Sequence, residues 1–183
     1  MYVPVSTKHL LVAALTLFVS SGAFAAGKHG GGHGGGHGTG IGEPGKASEA
    51  KRTIEIVMSD NRFAPEQFSV KKGETVRFIV RNKGEFIHEF NIGTATMHAN
   101  HQKEMATMFE QGLLEVDKIH HGKMKARMPG GDAMAHDDPN STLLEPGKTA
   151  ELVWKFSTDA RLEFACNVPG HYEAGMVGRI HKR

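Results

Sequence analysis

The sequence predicts an all-β sandwich, and two observations carry the prediction. Short stretches of alternating apolar and polar residues recur over residues 51–92 and 143–183, and turns bearing glycine, proline and asparagine separate them. A two-residue period buries one face of a strand, and several short strands at close spacing close into a sandwich or barrel.

The elements follow in order. TIEIVM (53–58) sets Ile54, Ile56 and Met58 on one face, and QFSV (67–70) does the same with Phe68 and Val70. KKGE (71–74) turns the chain into TVRFIV (75–80), where Val76, Phe78 and Val80 share a side. RNKGE (81–85) leads to the strand FIHEFNI (86–92). After a long interruption, EPGK (145–148) introduces TAELVWKF (149–156), STDA (157–160) introduces RLEFAC (161–166), and MVGRI (176–180) closes the chain.

Two regions lie ahead of the strands. Residues 1–25 have the layout of a secretory signal peptide: a lysine at position 8, a nearly uninterrupted apolar run from Leu10 to Val19, then Ala23-Phe24-Ala25, after which cleavage is expected. The run is shorter than the roughly 20 residues that a bilayer span needs, which argues against an uncleaved anchor. No later stretch is apolar enough to cross a membrane. Residues 26–50 are rich in glycine and read as a disordered tail, with His29, His33 and His37 every fourth position. Residues 51–183 then form one domain. The formal net charge of +2 gives no reason to expect a nucleic-acid partner.

The alternation stops from about Gly93 to Thr142, an insertion too long for a plain loop in a small domain. Met97, His101, Met105 and Met108 fall at the spacing of one helical face, with His98 beside them. His120, Met124 and Met128 repeat that spacing next to His121, and Met134 and His136 follow. In all the chain holds 12 His and 9 Met, a surplus of soft ligands concentrated outside the strands.

Near the end stands FACNVPGHYEAGM (164–176), with the chain's single cysteine, Cys166. Exported proteins usually pair their cysteines, and this one has no partner within the chain. Its thiol, the His171 imidazole and the Met176 thioether make a soft donor set at C-x4-H-x4-M spacing, suited to copper or zinc. A trigonal His₂Cys site with a weak axial Met needs a second histidine, and His88, in the apolar setting of FIHEF, is the natural donor. Other readings exist for each residue. Cys166 reads alone as an inert buried thiol, His88 as a satisfied core histidine, and Met176 as the start of the last strand's core face. A thiol nucleophile would want an activated cysteine, as at a helix N-terminus, whereas Cys166 ends a strand. Structural zinc wants four strong ligands, and Met is a poor one.

FACNVPGHYEAGMVGRI together with FIHEFNIG resembles the cupredoxins, and most of all the periplasmic cupredoxins associated with bacterial copper tolerance. The resemblance covers roughly residues 51–92 and 143–183, and the Gly/His tail and the His/Met insertion look similar as well. It implies a Greek-key β-sandwich holding one type 1 copper, with His88, Cys166 and His171 as strong ligands, Met176 as the axial one, and a periplasmic location. Two positions depart from the family pattern. Glu89 stands where many cupredoxins have an asparagine that helps tie down the thiolate loop, and Leu162 stands where many have an aromatic residue.

The expected function is copper tolerance, through binding, buffering or Cu(I) oxidation with one-electron transfer at the site. The alternative is an electron shuttle between periplasmic redox enzymes. Copper ions, and redox or copper-handling proteins of the periplasm, are the expected partners. Nothing in the chain supplies a second copper centre that reduces oxygen or nitrite, so no turnover by the chain alone is expected, and cuprous oxidation would need an external oxidant. The surplus His and Met in tail and insertion are candidate sites for additional labile copper; the competing reading is packing on the sandwich for the methionines and an incidental leader for the tail histidines.

Overall fold

The computed structural model describes residues 40–127 and 138–183. Their strands form two five-stranded sheets. The first contains β1 (Glu43–Pro44), β2 (Arg52–Ser59), β3 (Arg62–Ala64), β5 (Glu74–Asn82) and β8 (Thr149–Phe156), in the order β1-β8-β5-β2-β3. The second contains β4 (Gln67–Val70), β6 (His88–Gly93), β7 (Ser141–Leu144), β9 (Glu163–Ala165) and β10 (Val177–Lys182), in the order β4-β10-β9-β6-β7. Two of the neighbouring pairs are parallel, β2 with β5 and β4 with β10.

The alternation read from the sequence is the inner face of this sandwich. Ile56, Met58, Val76, Phe78 and Val80 from the first sheet are fully buried, as are Phe90, Ile92 and Phe164 from the second. The sheets meet through aromatic rings: Phe63 lies 5.0 Å from Phe164 and Phe78 lies 5.2 Å from Phe90, between ring centres. Tilted and edge-to-face pairs at such distances bring attraction beyond their buried area. β6 is buried at all six positions, because one of its faces looks into the sandwich and the other is covered.

What covers it is the insertion. α1 (Ala95–Glu110) begins where the side chain of Thr94 accepts a hydrogen bond from the Met97 amide, and such a cap satisfies a donor that the first turn leaves free. His98, His101, Met105 and Met108 are its buried face, with His98 where the spacing predicts Met97, which is only partly buried. α2 (His121–Arg127) follows as the second expected helix.

The tail boundary at residue 50 needs correction. Ile41 is buried, its carbonyl accepts a hydrogen bond from the Trp154 indole at 3.2 Å, and β1 pairs with the edge of β8. One large side chain and two strand residues anchor this segment, and they are hidden in the sequence by the glycines around them. β3 and β7 also escape the sequence pattern, being three and four residues long and lying at sheet edges. Residues 1–39, and with them the signal layout and His29, His33 and His37, lie outside the described residues, as do Met128, Met134 and His136.

Candidate metal centre

Three donor atoms converge at one end of the sandwich. His88 Nδ1 and His171 Nδ1 are 3.2 Å apart, Cys166 Sγ is 3.3 Å from His171 Nδ1, and Cys166 Sγ is 3.9 Å from His88 Nδ1. A metal bonded to N and S donors at about 2.0–2.3 Å in a trigonal plane needs donor–donor edges of about 3.5–4 Å. The triangle fits such an ion after only small adjustments. Among the described residues it is the one group of three or more His, Cys, Asp or Glu side chains gathered closely enough to hold a metal.

The strands place each donor. His88 opens β6, and Cys166 directly follows β9, its antiparallel neighbour. The pairing of Asn91 with Ala165, continued one residue at a time, sets Cys166 beside Phe90 and Asn167 beside Glu89. The loop from Cys166 to Met176 is closed by its own backbone. Cys166 N–H donates to Met176 O (3.1 Å), Met176 N–H to His171 O (2.9 Å), and His171 N–H to Val168 O (3.0 Å). Gly170 (φ 85°) and Gly175 (φ 92°) make the two left-handed bends that this path requires. Met176 is fully buried at the end of the loop, beside the triangle in the chain and ahead of β10.

The surroundings fix orientation and charge. His88 Nε2 donates to the Asp60 carboxylate at 2.9 Å, which leaves Nδ1 unprotonated and free to bind a metal. The pair is tight against the chain: a Cβ added to Gly84 would lie 2.3 Å from Asp60 Oδ1 and 2.7 Å from His88 Nε2. The Glu89 N–H donates to Cys166 Sγ at 3.3 Å, and the buried Glu89 carboxylate accepts from the Asn167 amide and its side chain at 3.3 and 2.8 Å. Burial pushes the Cys166 thiol up to about 12. Burial and the neighbouring His88 ring hold His171 down to about 4, and burial also lowers His88 against the pull of Asp60. The metal-free site is therefore neutral at pH 7, with one proton to lose on binding a cation.

The structure brings His88, Cys166 and His171 together and buries Met176 at the end of the same loop, while the other candidates among the described residues lie elsewhere. Met105, Met108 and Met124 are buried in the hydrophobic core. His101 is bound by carboxylates, its Nε2 2.9 Å from Glu89 and its Nδ1 3.0 Å from Glu104. His98 is buried beside the ring of Tyr172, 6.1 Å away between centres, and Met97 packs on the edge of the core. His120 reaches Glu115 at 2.6 Å, and His121 is exposed. Sequence reasoning did not find Asp60, whose only visible mark is a place in a turn, nor the pairing of Glu89 with His101, which joins two separately folded elements.

Fold and donor set together define a cupredoxin-like protein. The family model for a cupredoxin-like domain matches residues 10–124, ending before the Cys166 loop. The chain is 37% identical over 175 residues to the copper-resistant cuproprotein CopI of Rubrivivax gelatinosus, covering 93% of this chain and 92% of that one. It is 52% identical over 146 residues to the protein of the same name from Pseudomonas aeruginosa, covering 76% and 81%. Auracyanin of Roseiflexus castenholzii shares the fold, with a TM-score of 0.51 at 22% identity, covering 73% of this chain and 98% of that one. Auracyanin B does so with a TM-score of 0.53 at 18% identity, covering 80% and 96%. The chain belongs to the cupredoxin-like family and, within it, to the copper-resistant cuproproteins named CopI.

Proposed function

We propose that this chain is an exported, periplasmic copper-tolerance protein. It carries one type 1 copper, held by His88, Cys166 and His171 with Met176 as a weak axial ligand. The observation that carries the reading is the triangle of two imidazole Nδ1 atoms and one thiol, pre-aligned at the end of the sandwich with His88 and Cys166 buried and His171 half-buried. The relatives named for copper resistance and the N-terminal signal layout support it. Copper bound there supplies a Cu(I)/Cu(II) one-electron couple. The protein's own part is to hold the donors still, since a loop pinned by its backbone and a His88 pinned by Asp60 need little rearrangement between the two states. His171 lines a cleft with Phe86, Phe109, Val116, Val168 and Pro169, and Phe86 and Val116 are exposed. That apolar rim gives electrons a route to an outside partner. Because such a rim suits an electron carrier as well, a shuttle between redox enzymes is the second reading; cuprous oxidation would draw on an external oxidant.

Additional labile copper is assigned to His29, His33 and His37 in the tail, with His120 and His121 on the insertion. Met105, Met108 and Met124 serve the core. The test is an absorption spectrum after Cu(II) addition. The parent protein is expected to show a strong thiolate-to-copper visible band that Cys166→Ser removes, and a parent without the band would end the copper reading. Growth of a deletion strain on excess copper, restored by the parent gene and not by Cys166→Ser, separates tolerance from the shuttle.

A further inference from the structure

His88 and Glu89 are neighbours on β6, so their side chains leave opposite faces of the strand. His88 turns to the metal triangle, and Glu89 turns to the face that α1 covers. The Glu89 carboxylate is fully buried and meets a ring of donors. Oε2 accepts from Asn167 N–H and Nδ2, while Oε1 accepts from Ser141 Oγ at 2.6 Å, His101 Nε2 at 2.9 Å and, more weakly, Asn91 Nδ2 at 3.4 Å. An ionised carboxylate, which can only accept, satisfies this ring of donors; an amide would turn its NH₂ against one of them. The balancing charge is on His101. Both ring nitrogens of His101 face carboxylates, Glu89 on one side and Glu104 on the other, with Asp138 4.0 Å away, so both carry hydrogens and the ring is an imidazolium. Burial pulls His101 down, but these carboxylates more than reverse it, raising it to about 9.

We propose that Glu89 and His101 form a charge clamp through which the inserted helix α1 holds the thiolate loop and tunes the copper centre. The inference rests on the copper assignment above and deepens it. Both are positioning residues. Glu89 fixes Asn167, the residue that follows the Cys166 ligand, and lends its own N–H to the sulfur; His101 neutralises Glu89 from the insertion. The insertion is then a working part of the centre as well as a cover for β6. The charges also have opposite effects on the metal. A buried carboxylate without its imidazolium favours Cu(II), and an imidazolium without its carboxylate favours Cu(I).

The test uses the full mature chain as parent, Glu89→Gln, His101→Gln, the double variant, and His181→Gln as an exposed histidine outside the clamp. Reduction potential, visible spectrum and copper loss to a chelator are measured on the copper-loaded proteins. Exchange of the Asn167 amide hydrogen is measured on the copper-free ones. The potential is expected to fall in His101→Gln, to rise in Glu89→Gln, and to return toward the parent in the double variant. Copper loss should quicken about tenfold or more in both single variants, as for other residues that orient metal ligands, and Asn167 exchange should quicken with it. His181→Gln should match the parent in all four. Single variants that move the potential in the same direction, or leave both potential and Asn167 exchange unchanged, overturn the clamp. If Glu89→Gln fails to fold, His101→Gln decides alone, and an unchanged potential there overturns the proposal. A visible band that survives Cys166→Ser would sink the copper assignment instead, while the Asn167 exchange result in copper-free protein would still decide whether the clamp exists.

Discussion

Cys166 is the residue on which the chemistry turns, and its surroundings set a proton balance. Burial holds the thiol up at about 12, and both imidazoles are held below their ordinary range. Near pH 7 a metal therefore meets one protonated sulfur and two neutral rings. Because the raised thiol keeps its proton across the working range, binding must expel it, and affinity must rise with pH. Copper uptake at pH 7 is expected to release about one proton, and apparent affinity to climb about tenfold per pH unit between pH 7 and 8. Titration calorimetry in buffers of different ionisation enthalpy checks this; a release near zero would mean that the metal does not take the thiolate. The four proposed ligand residues could be named from the sequence because their types and order are themselves the signal. Asp60 was not, since an aspartate in a turn looks the same whether or not a histidine ends beside it.

At the scale of elements, the strands were legible wherever they are long and half-buried, as in β2, β5 and β8, because alternation is then visible over several residues. β1, β3 and β7 were not: each is too short to show a period and takes its place from a neighbour's edge. α1 was legible as a helix, but its purpose was not. The same Met spacing fits a copper-binding face and an apolar face, and only the docking on β6 separates them. Met105 is fully buried among apolar side chains. Met105→Ala is expected to destabilise the protein by about 2–5 kcal/mol, as buried methionine truncations do, while Met105→Leu keeps both stability and copper stoichiometry. Thermal unfolding with metal analysis of the two variants tests this, and copper lost in a stably folded Met105→Leu would return the residue to the ligand list.

For the whole molecule, the tail divides at Ile41, which is seated on the sandwich through Trp154. The glycine- and histidine-rich stretch ahead of it supplies none of the three proposed donors His88, Cys166 and His171. Deleting residues 27–40 is expected to lower total copper bound without altering the visible band, measured by metal analysis and spectroscopy on one preparation; an unchanged stoichiometry would refute copper capture by the tail. The sequence by itself determined the sandwich and the family and named the four proposed ligands, because hydrophobic period and donor type are properties of the chain. Tertiary structure decided what surrounds the ligands: Asp60 behind His88, Glu89 against Asn167, and His101 reaching from an inserted helix. Those contacts join residues far apart in sequence, and each depends on two elements packing at one register, which no local pattern records. A carboxylate buried beside a ligand is a liability in the sequence and becomes a clamp only once an imidazolium is folded against it.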